Sequence, residues 1–386
     1  MKLISVEAFP VRVSRDFASA VGTAGSPTRL VPGGGSYRWS ETFPCLYSTN
    51  FETALIRIRT DGGLTGWGEA QAPLAPEVAC TIVRLLLAPV LEGAGFDGSR
   101  EEIEKFWDLM YATMRVRGQT GGFMLDAISG VDLALWDLAG KMASQPVSRL
   151  LSEAPHAAVP AYVSGLSREN RSQQTRGFQD AGFTTFKLFY DGDEAEFFRG
   201  LDEMPEGARV AVDALWRLTL ERAVAFGAEL DDREAVWLEA PLAPEDAMAH
   251  GALARQIGTP VALGESYRTR HEIAPFVREG AVGVFQPDLG RCGITEGTRM
   301  AALARTRGAW SAPHISIACG PQLAAALHYA AATEGCLIAE FNPLVLGFTN
   351  RFVREPLRLD GARWVVPQGP GLGIEMDEDA LKQVVL

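Results

Sequence analysis

Cysteine is scarce in this chain, with five residues in 386. Cys45, Cys80, Cys292, Cys319 and Cys336 are odd in number and show no CxxC spacing. Reduced thiols in a cytoplasmic protein are the simplest account. Basic charge is also short: 36 Lys and Arg against 48 Asp and Glu leave a formal charge of −12. That balance argues against a nucleic-acid or anionic-membrane partner, and a small anion could bind only at a local cluster of metal, Lys or Arg. No apolar leader with a small-residue cleavage site follows Met1, and the first residues read as a strand instead. One stretch, 310–333, has no Asp, Glu, Lys or Arg and is long enough to span a bilayer. It also contains Pro313, His314, Pro321, Gln322 and His328, and divides into a strand end, a loop and an Ala-rich helix, so a buried strand–loop–helix is the better reading.

What is present is an ordinary globular composition, 47% apolar and 22% charged. The length suits a barrel of about 250 residues with a smaller second domain. The first portion reads as a strand, a long Gly/Pro/Ser-rich loop at 19–41, a hairpin turning at Asp61-Gly62-Gly63, and helices near 76–91 and 100–116. A loop that long in a compact domain is usually functional, and its Arg29, Tyr37, Arg38 and Trp39 suit a lid over a polar ligand. From Gly122 the period becomes helical to about Ala143. Eight short, nearly continuous apolar runs then alternate with helical patterns, at 159–163, 184–189, 209–212, 235–238, 260–263, 282–286, 309–311 and 336–339. Strands buried on both faces and joined by helices look like this, and eight evenly spaced units favour closure into a barrel over a doubly wound sheet.

The ends of these strands hold ionisable residues in register. Lys187, Asp213, Glu239, Glu265, Asp288, His314 and Glu340 follow one another at intervals of 26, 26, 26, 23, 26 and 26 residues. That is the length of one βα unit, so each residue recurs at the C-terminal mouth, where barrel active sites are built. A single acid after a strand is more often a helix N-cap; seven in register are hard to explain that way. Asp213, Glu239 and Glu265 come from adjacent strands. Their converging carboxylates suit Mg²⁺ or Mn²⁺, the alternative being that one of them pairs with Lys or Arg. Asp288 and His314 lie on neighbouring strands, where a carboxylate can orient an imidazole.

With these positions in view, the chain resembles the enolase superfamily, in its mandelate racemase-like (mandelate racemase/muconate lactonizing enzyme) subgroup. The motifs are Gly66-Trp67-Gly68-Glu69, Ala127-Ile128-Ser129-Gly130-Val131-Asp132-Leu133-Ala134-Leu135-Trp136-Asp137, Trp237-Leu238-Glu239-Ala240-Pro241, Gly264-Glu265 and Gln286-Pro287-Asp288. The run Gly369-Pro370-Gly371-Leu372-Gly373 resembles the family's C-terminal loop. The resemblance implies an α/β fold: a modified (β/α)7β-type TIM barrel at 126–355, an α+β capping domain at 1–125, and a C-terminal segment at 356–386 that packs back on the cap. A homo-oligomer is also expected. It further implies that Asp213, Glu239 and Glu265 bind Mg²⁺, which holds a substrate carboxylate while the α-proton is removed to give an enediolate. This is the general enolase-superfamily scheme with a Lys or His base. Glu340 matches a residue that hydrogen-bonds the carboxylate, and must be protonated to donate.

One departure decides the expected outcome. Many members have Lys-x-Lys at the end of the second barrel strand, with the second lysine as a base. Here the run is Lys187-Leu188-Phe189, so Phe189 stands in the second position and cannot move protons. With His314 the one competent base, dehydration of an acid sugar (aldonate or aldarate) to a 2-keto-3-deoxy acid is the economical reading, His314 serving both proton transfers. Lys187 is then an electrostatic partner, or simply a neutralising charge. The alternatives are a racemase, epimerase or cycloisomerase with Lys187 as base, and a metal-binding barrel without turnover. Candidate substrate contacts are Arg29, Tyr37, Arg38, Tyr162, Ser164, Phe189, Trp216 and Arg217. Either Arg29 or Arg38 facing a second carboxylate would favour a diacid sugar.

Overall fold

The computed structural model describes residues 1–14, 28–30, 34–40 and 45–385, with the backbone alone at 28–30. The chain starts with an antiparallel sheet in the order β1 (Leu3–Ser14), β5 (Asn50–Thr60), β6 (Thr65–Ala70). The described part of the 19–41 region is not irregular. β2 (Thr28–Leu30), β3 (Tyr37–Ser40) and β4 (Leu46–Ser48) form a small antiparallel sheet, to which the aromatic residues of Tyr37-Arg38-Trp39 are suited. The helix Gly122–Ala143 lies on the larger sheet. A Cβ on Gly68 would stand 1.9 Å from the Gly130 carbonyl oxygen, and one on Gly66 2.4 Å from that of Ala134. The glycine spacing of that strand therefore lets a helix touch it backbone to backbone. The expected boundary at 125/126 falls inside this helix, whose Asp137 accepts hydrogen bonds from Trp67 N (2.8 Å) and from Leu372 N of the C-terminal loop (2.8 Å).

Eight parallel strands follow: β7 (Ala158–Val163), β8 (Thr185–Phe189), β9 (Arg209–Asp213), β10 (Leu238–Glu239), β11 (Val261–Leu263), β12 (Val284–Phe285), β13 (Trp310–Ser311) and β14 (Ala339–Phe341). Neighbours pair in sequence order, β14 returns to pair β7, and the Ser311–Cys336 bridge joins β13 to the start of the last unit, so the sheet is closed. Seven intervening helices make a (β/α)7β barrel. The charge-free stretch contributes β13 and the buried helix Pro321–Ala332; among the described residues no helix is long and apolar enough to cross a membrane.

Inside the barrel, Tyr162, Ala211, Trp237, Ala262, Val284 and Ala312 pack as one layer. The tail first adds β15 (Leu359–Asp360) and β16 (Arg363–Val365), the latter antiparallel to the start of β7. It then reaches β1 through a Val11–Val385 bridge.

Candidate active site

The barrel register sets the acids side by side: Glu239 lies beside Asp213, and Asp213 beside Phe189. The backbone at this mouth is unusual. Leu215, Trp216 and Ala240, just after two of the acids, have φ of 55°, 58° and 46°, and Gly264, just before the third, has φ 159°. A Cβ on Gly264 would stand 2.4–2.5 Å from the Gln286 backbone, so only glycine lets these strands approach. Non-glycine residues in the left-handed region cost of order 1–3 kcal/mol each, and three of the six among the described residues lie beside these acids.

His314 and Asp288 meet across β12 and β13. Nδ1 of His314 lies 2.8 Å from Oδ2 of Asp288. Asp288 also accepts from Ser316 Oγ (2.6 Å), Gly290 N (2.9 Å) and Gln322 Nε2 (3.1 Å), and Gln71 of the first domain holds Ser316 at 2.5 Å. It is thus both the N-cap of the helix Leu289–Arg305 and the partner of the imidazole. Burial would raise its carboxyl, but the His314 bond prevails and holds it below the usual range. An ionised carboxylate only accepts, so Nδ1 of His314 bears a proton toward Asp288, and Nε2, on the cavity side, lies 3.3 Å from Glu265. Burial would lower His314, but the Asp288 bond and the charges of Glu265 and Glu340 push it up to about 9.

Lys187 faces this dyad across the mouth. Its buried Nζ is 2.8 Å from Glu239, 3.1 Å from Glu340 and 3.7 Å from Asp213. Burial would lower its pKa, but Glu239 and Glu340 hold it well above the ordinary lysine value, so it stays an ammonium. The Phe189 ring is 5.4 Å away. Glu340 differs from the protonated donor that the resemblance implies. Burial would raise it, but Lys187 and then His314 pull it to about 2, so it is an ionised acceptor that also takes the Ile315 N–H at 3.0 Å.

The three candidate metal ligands are all at the mouth. Asp213 and Glu265 line a cavity of about 230 Å³, and Glu239 lies behind Lys187. Trp216 donates to Glu265 (3.0 Å), while Trp237 (3.0 Å) and Gln286 (2.8 Å) donate to Glu239. Asp213 is raised well above the ordinary aspartate value by burial and then by Glu239, with Glu265 contributing, a repulsion that a cation would relieve. Hard carboxylate oxygens on adjacent strands suit Mg²⁺ or Mn²⁺ in kind and place. Among the described residues, however, no group of three His, Cys, Asp or Glu side chains is set around a common metal position, and Glu239 takes hydrogen bonds from Lys187, Trp237 and Gln286.

Several expected substrate contacts stand elsewhere. Tyr162 lies one inward layer below Ser164, packed edge-on against Trp237, and only Ser164 lines the cavity. Trp216 braces Glu265 from outside the lining, and Arg217 is not in it. Tyr37 is structural: its hydroxyl donates to Glu52 (3.2 Å) and accepts from Ala75 N (2.8 Å). Arg38 turns back onto the carbonyls of Gly35 (2.8 Å) and Tyr37 (2.9 Å). The Arg29 side chain lies outside the described residues. Phe189 lines the cavity, joined there by Phe51, Asn342, Leu344 and Val345, which sequence patterning did not single out. Sequence patterning does not single out Ser316, Gln322 or Gln71 either: Gln71 directly follows β6, Ser316 lies in the loop after β13, and Gln322 opens the helix Pro321–Ala332.

The acids and the braced His–Asp pair lie at the strand-end mouth, where closed barrels of this kind carry their active sites. The pattern of the family described as "Enolase C-terminal domain-like" matches residues 170–380, and that of "Mandelate racemase / muconate lactonizing enzyme, N-terminal domain" matches residues 47–152. The chain belongs to the enolase superfamily, in the mandelate racemase/muconate lactonizing enzyme subgroup, whose members are enzymes acting on small carboxylates. It is 31% identical over 349 residues to the D-galactarolactone cycloisomerase of Agrobacterium fabrum, covering 85% of this chain and 90% of that protein. It is also 31% identical over 365 residues to a D-galactonate dehydratase of Xanthomonas oryzae pv. oryzae, with the same coverage. A solved structure of an enolase superfamily member from Agrobacterium tumefaciens, 30% identical, superposes with a TM-score of 0.92, covering 100% of this chain and 99% of that one.

Proposed function

We propose that this protein is a divalent-metal-dependent dehydratase of an acid sugar, with His314 as its base. The observation that supports this most is the asymmetry of the cavity. Its imidazole is braced by Asp288, while the facing position is Phe189 and the nearby Lys187 is held as an ammonium between Glu239 and Glu340. Mg²⁺ (or Mn²⁺) held by Asp213, Glu239 and Glu265 would polarise a substrate carboxylate and offset the pull of those carboxylates on His314.

Nε2 of His314 takes the proton from the α-carbon, and the electron pair of the broken C–H bond moves into the carboxylate. Asp288 keeps Nδ1 protonated and stabilises the imidazolium that forms. His314 then returns the same proton to the β-hydroxyl as the C–O bond breaks, so water leaves from the face on which the proton was removed. The enol tautomerises to a 2-keto-3-deoxy acid. Lys187, fixed near the carboxylate end, supplies positive charge without exchanging its own proton. The dehydratase relative supports this outcome. The cycloisomerase relative supports a second one, in which the same base acts and the leaving oxygen belongs to a ring. Incubation of metal-loaded protein with mono- and diacid sugars and their lactones, with detection of 2-keto-3-deoxy products, distinguishes them. Binding of these acids with neither product nor α-proton exchange in D₂O would overturn both.

A further inference from the structure

The cavity has two unlike halves. Its floor, at the strand ends, holds the charged groups; its outer wall is hydrocarbon. Phe51 of β5 and Leu215, Ile317, Leu344 and Val345, which follow the strand ends, form that wall, and Phe189 at the end of β8, level with Asp213, continues it into the floor. It is a built surface: the Phe51 ring is 4.2 Å from that of Phe348, which packs 5.1 Å from Phe352, joining the first domain to the helix Pro343–Thr349. The polar group beside it, Asn342, already takes the Leu344 and Val345 N–H groups on its Oδ1 as helix N-cap. The basic side chains among the described lining residues are Lys187, paired with Glu239 and Glu340, and His314, paired with Asp288. Arg38, a sequence candidate for a second carboxylate, is turned onto backbone carbonyls.

A hydroxyl pressed against this wall gives up its bonds to water with none in return, and a second carboxylate fares worse. A methyl or methylene gains by leaving water. We propose that the substrate is a monocarboxylate whose end remote from the reacting carbons is apolar, which within the acid sugars means a terminal-deoxy acid. The identity of the reacting end rests on the function proposed above; the apolar remote end rests on the wall alone.

Two measurements on the full chain loaded with Mg²⁺ test this. In calorimetric titrations with straight-chain 2-hydroxyalkanoates of three to six carbons, affinity is expected to rise by up to roughly fourfold per added methylene. An affinity that stays flat or falls with chain length overturns the proposal whether or not any compound is turned over. In turnover, 6-deoxyhexonates are compared with the hexonates and hexarates of matching configuration. A kcat/KM at least about tenfold higher for the deoxy member is expected, and equal or reversed values overturn the proposal. Leu344→Ser, at a half-exposed position, is expected to narrow that ratio. A rising alkanoate series with no sugar acid turned over would instead remove the dehydratase reading and leave the apolar remote end standing.

Discussion

The two flanks of the cavity are built on opposite plans. On the His314 side each oxygen of Asp288 accepts two hydrogen bonds, and the donors reach back through Ser316 to Gln71. On the Lys187 side one ammonium is shared among three carboxylates, and the adjacent strand position is a phenyl ring. Under the proposed dehydration, the first arrangement would orient a group that gains and loses a proton, and the second would fix a charge that stays in place.

The comparison can be broken most severely at the imidazole. His314→Asn is expected to lower dehydration and α-proton exchange together by about 10³–10⁴-fold, measured by product formation and NMR in D₂O, with Mg²⁺ binding retained in calorimetry. Substantial remaining turnover would remove the one-base mechanism. On the other flank, Lys187→Met leaves Glu239 and Glu340 buried without their cation. A loss of about 3–5 kcal/mol in denaturant unfolding of metal-free protein is expected; an unchanged midpoint would show that the pairing contributes nothing.

Glu69 sharpens the contrast through pH. This buried carboxylate accepts from Cys319 N (2.7 Å), Gln322 N (3.2 Å) and Thr53 Oγ1 (3.0 Å), and burial raises it to about 7 despite those bonds. Because the folded chain holds this proton more tightly than the unfolded one, its contribution is full below pH 4.5 and is lost as pH rises through about 7. Glu69→Gln should flatten that slope by roughly 3 kcal/mol across the window in unfolding experiments, and an identical slope would contradict the shift. The smallest effect is expected at Gln286→Leu, which frees one donor from Glu239: a 10–100-fold weaker Mg²⁺ affinity by titration. No change there would count against Glu239 as a ligand.

Much of this was legible because βα units repeat. Continuous apolar runs located all eight barrel strands to within a few residues, and equal spacing placed seven ionisable residues at one end. Periodicity does not encode depth along the barrel axis, so Tyr162, on the same face as Ser164, looked equally exposed to substrate. Nor does it encode which of two chemically suitable partners a carboxylate takes. Asp213, Glu239 and Glu265 all suit a metal by type and place, and it is Glu239 that lies 2.8 Å from Lys187. Protonation depends on the sum of neighbouring charges, which a linear pattern does not show for Glu340. The hydrocarbon wall gathers residues from β5, the end of β8, two loops and the helix Pro343–Thr349, and no local pattern announces such a set.

The Glu69 contacts have a consequence for how the protein comes into being. They tie the segment after His314 to residues about 250 positions earlier, and Gln71 reaches Ser316 over a similar distance. Contacts of that span close late, after local βα units have formed. Refolding should therefore pass through a chain with native-like far-ultraviolet ellipticity and an unset imidazole, with recovery of catalysis lagging behind the recovery of secondary structure.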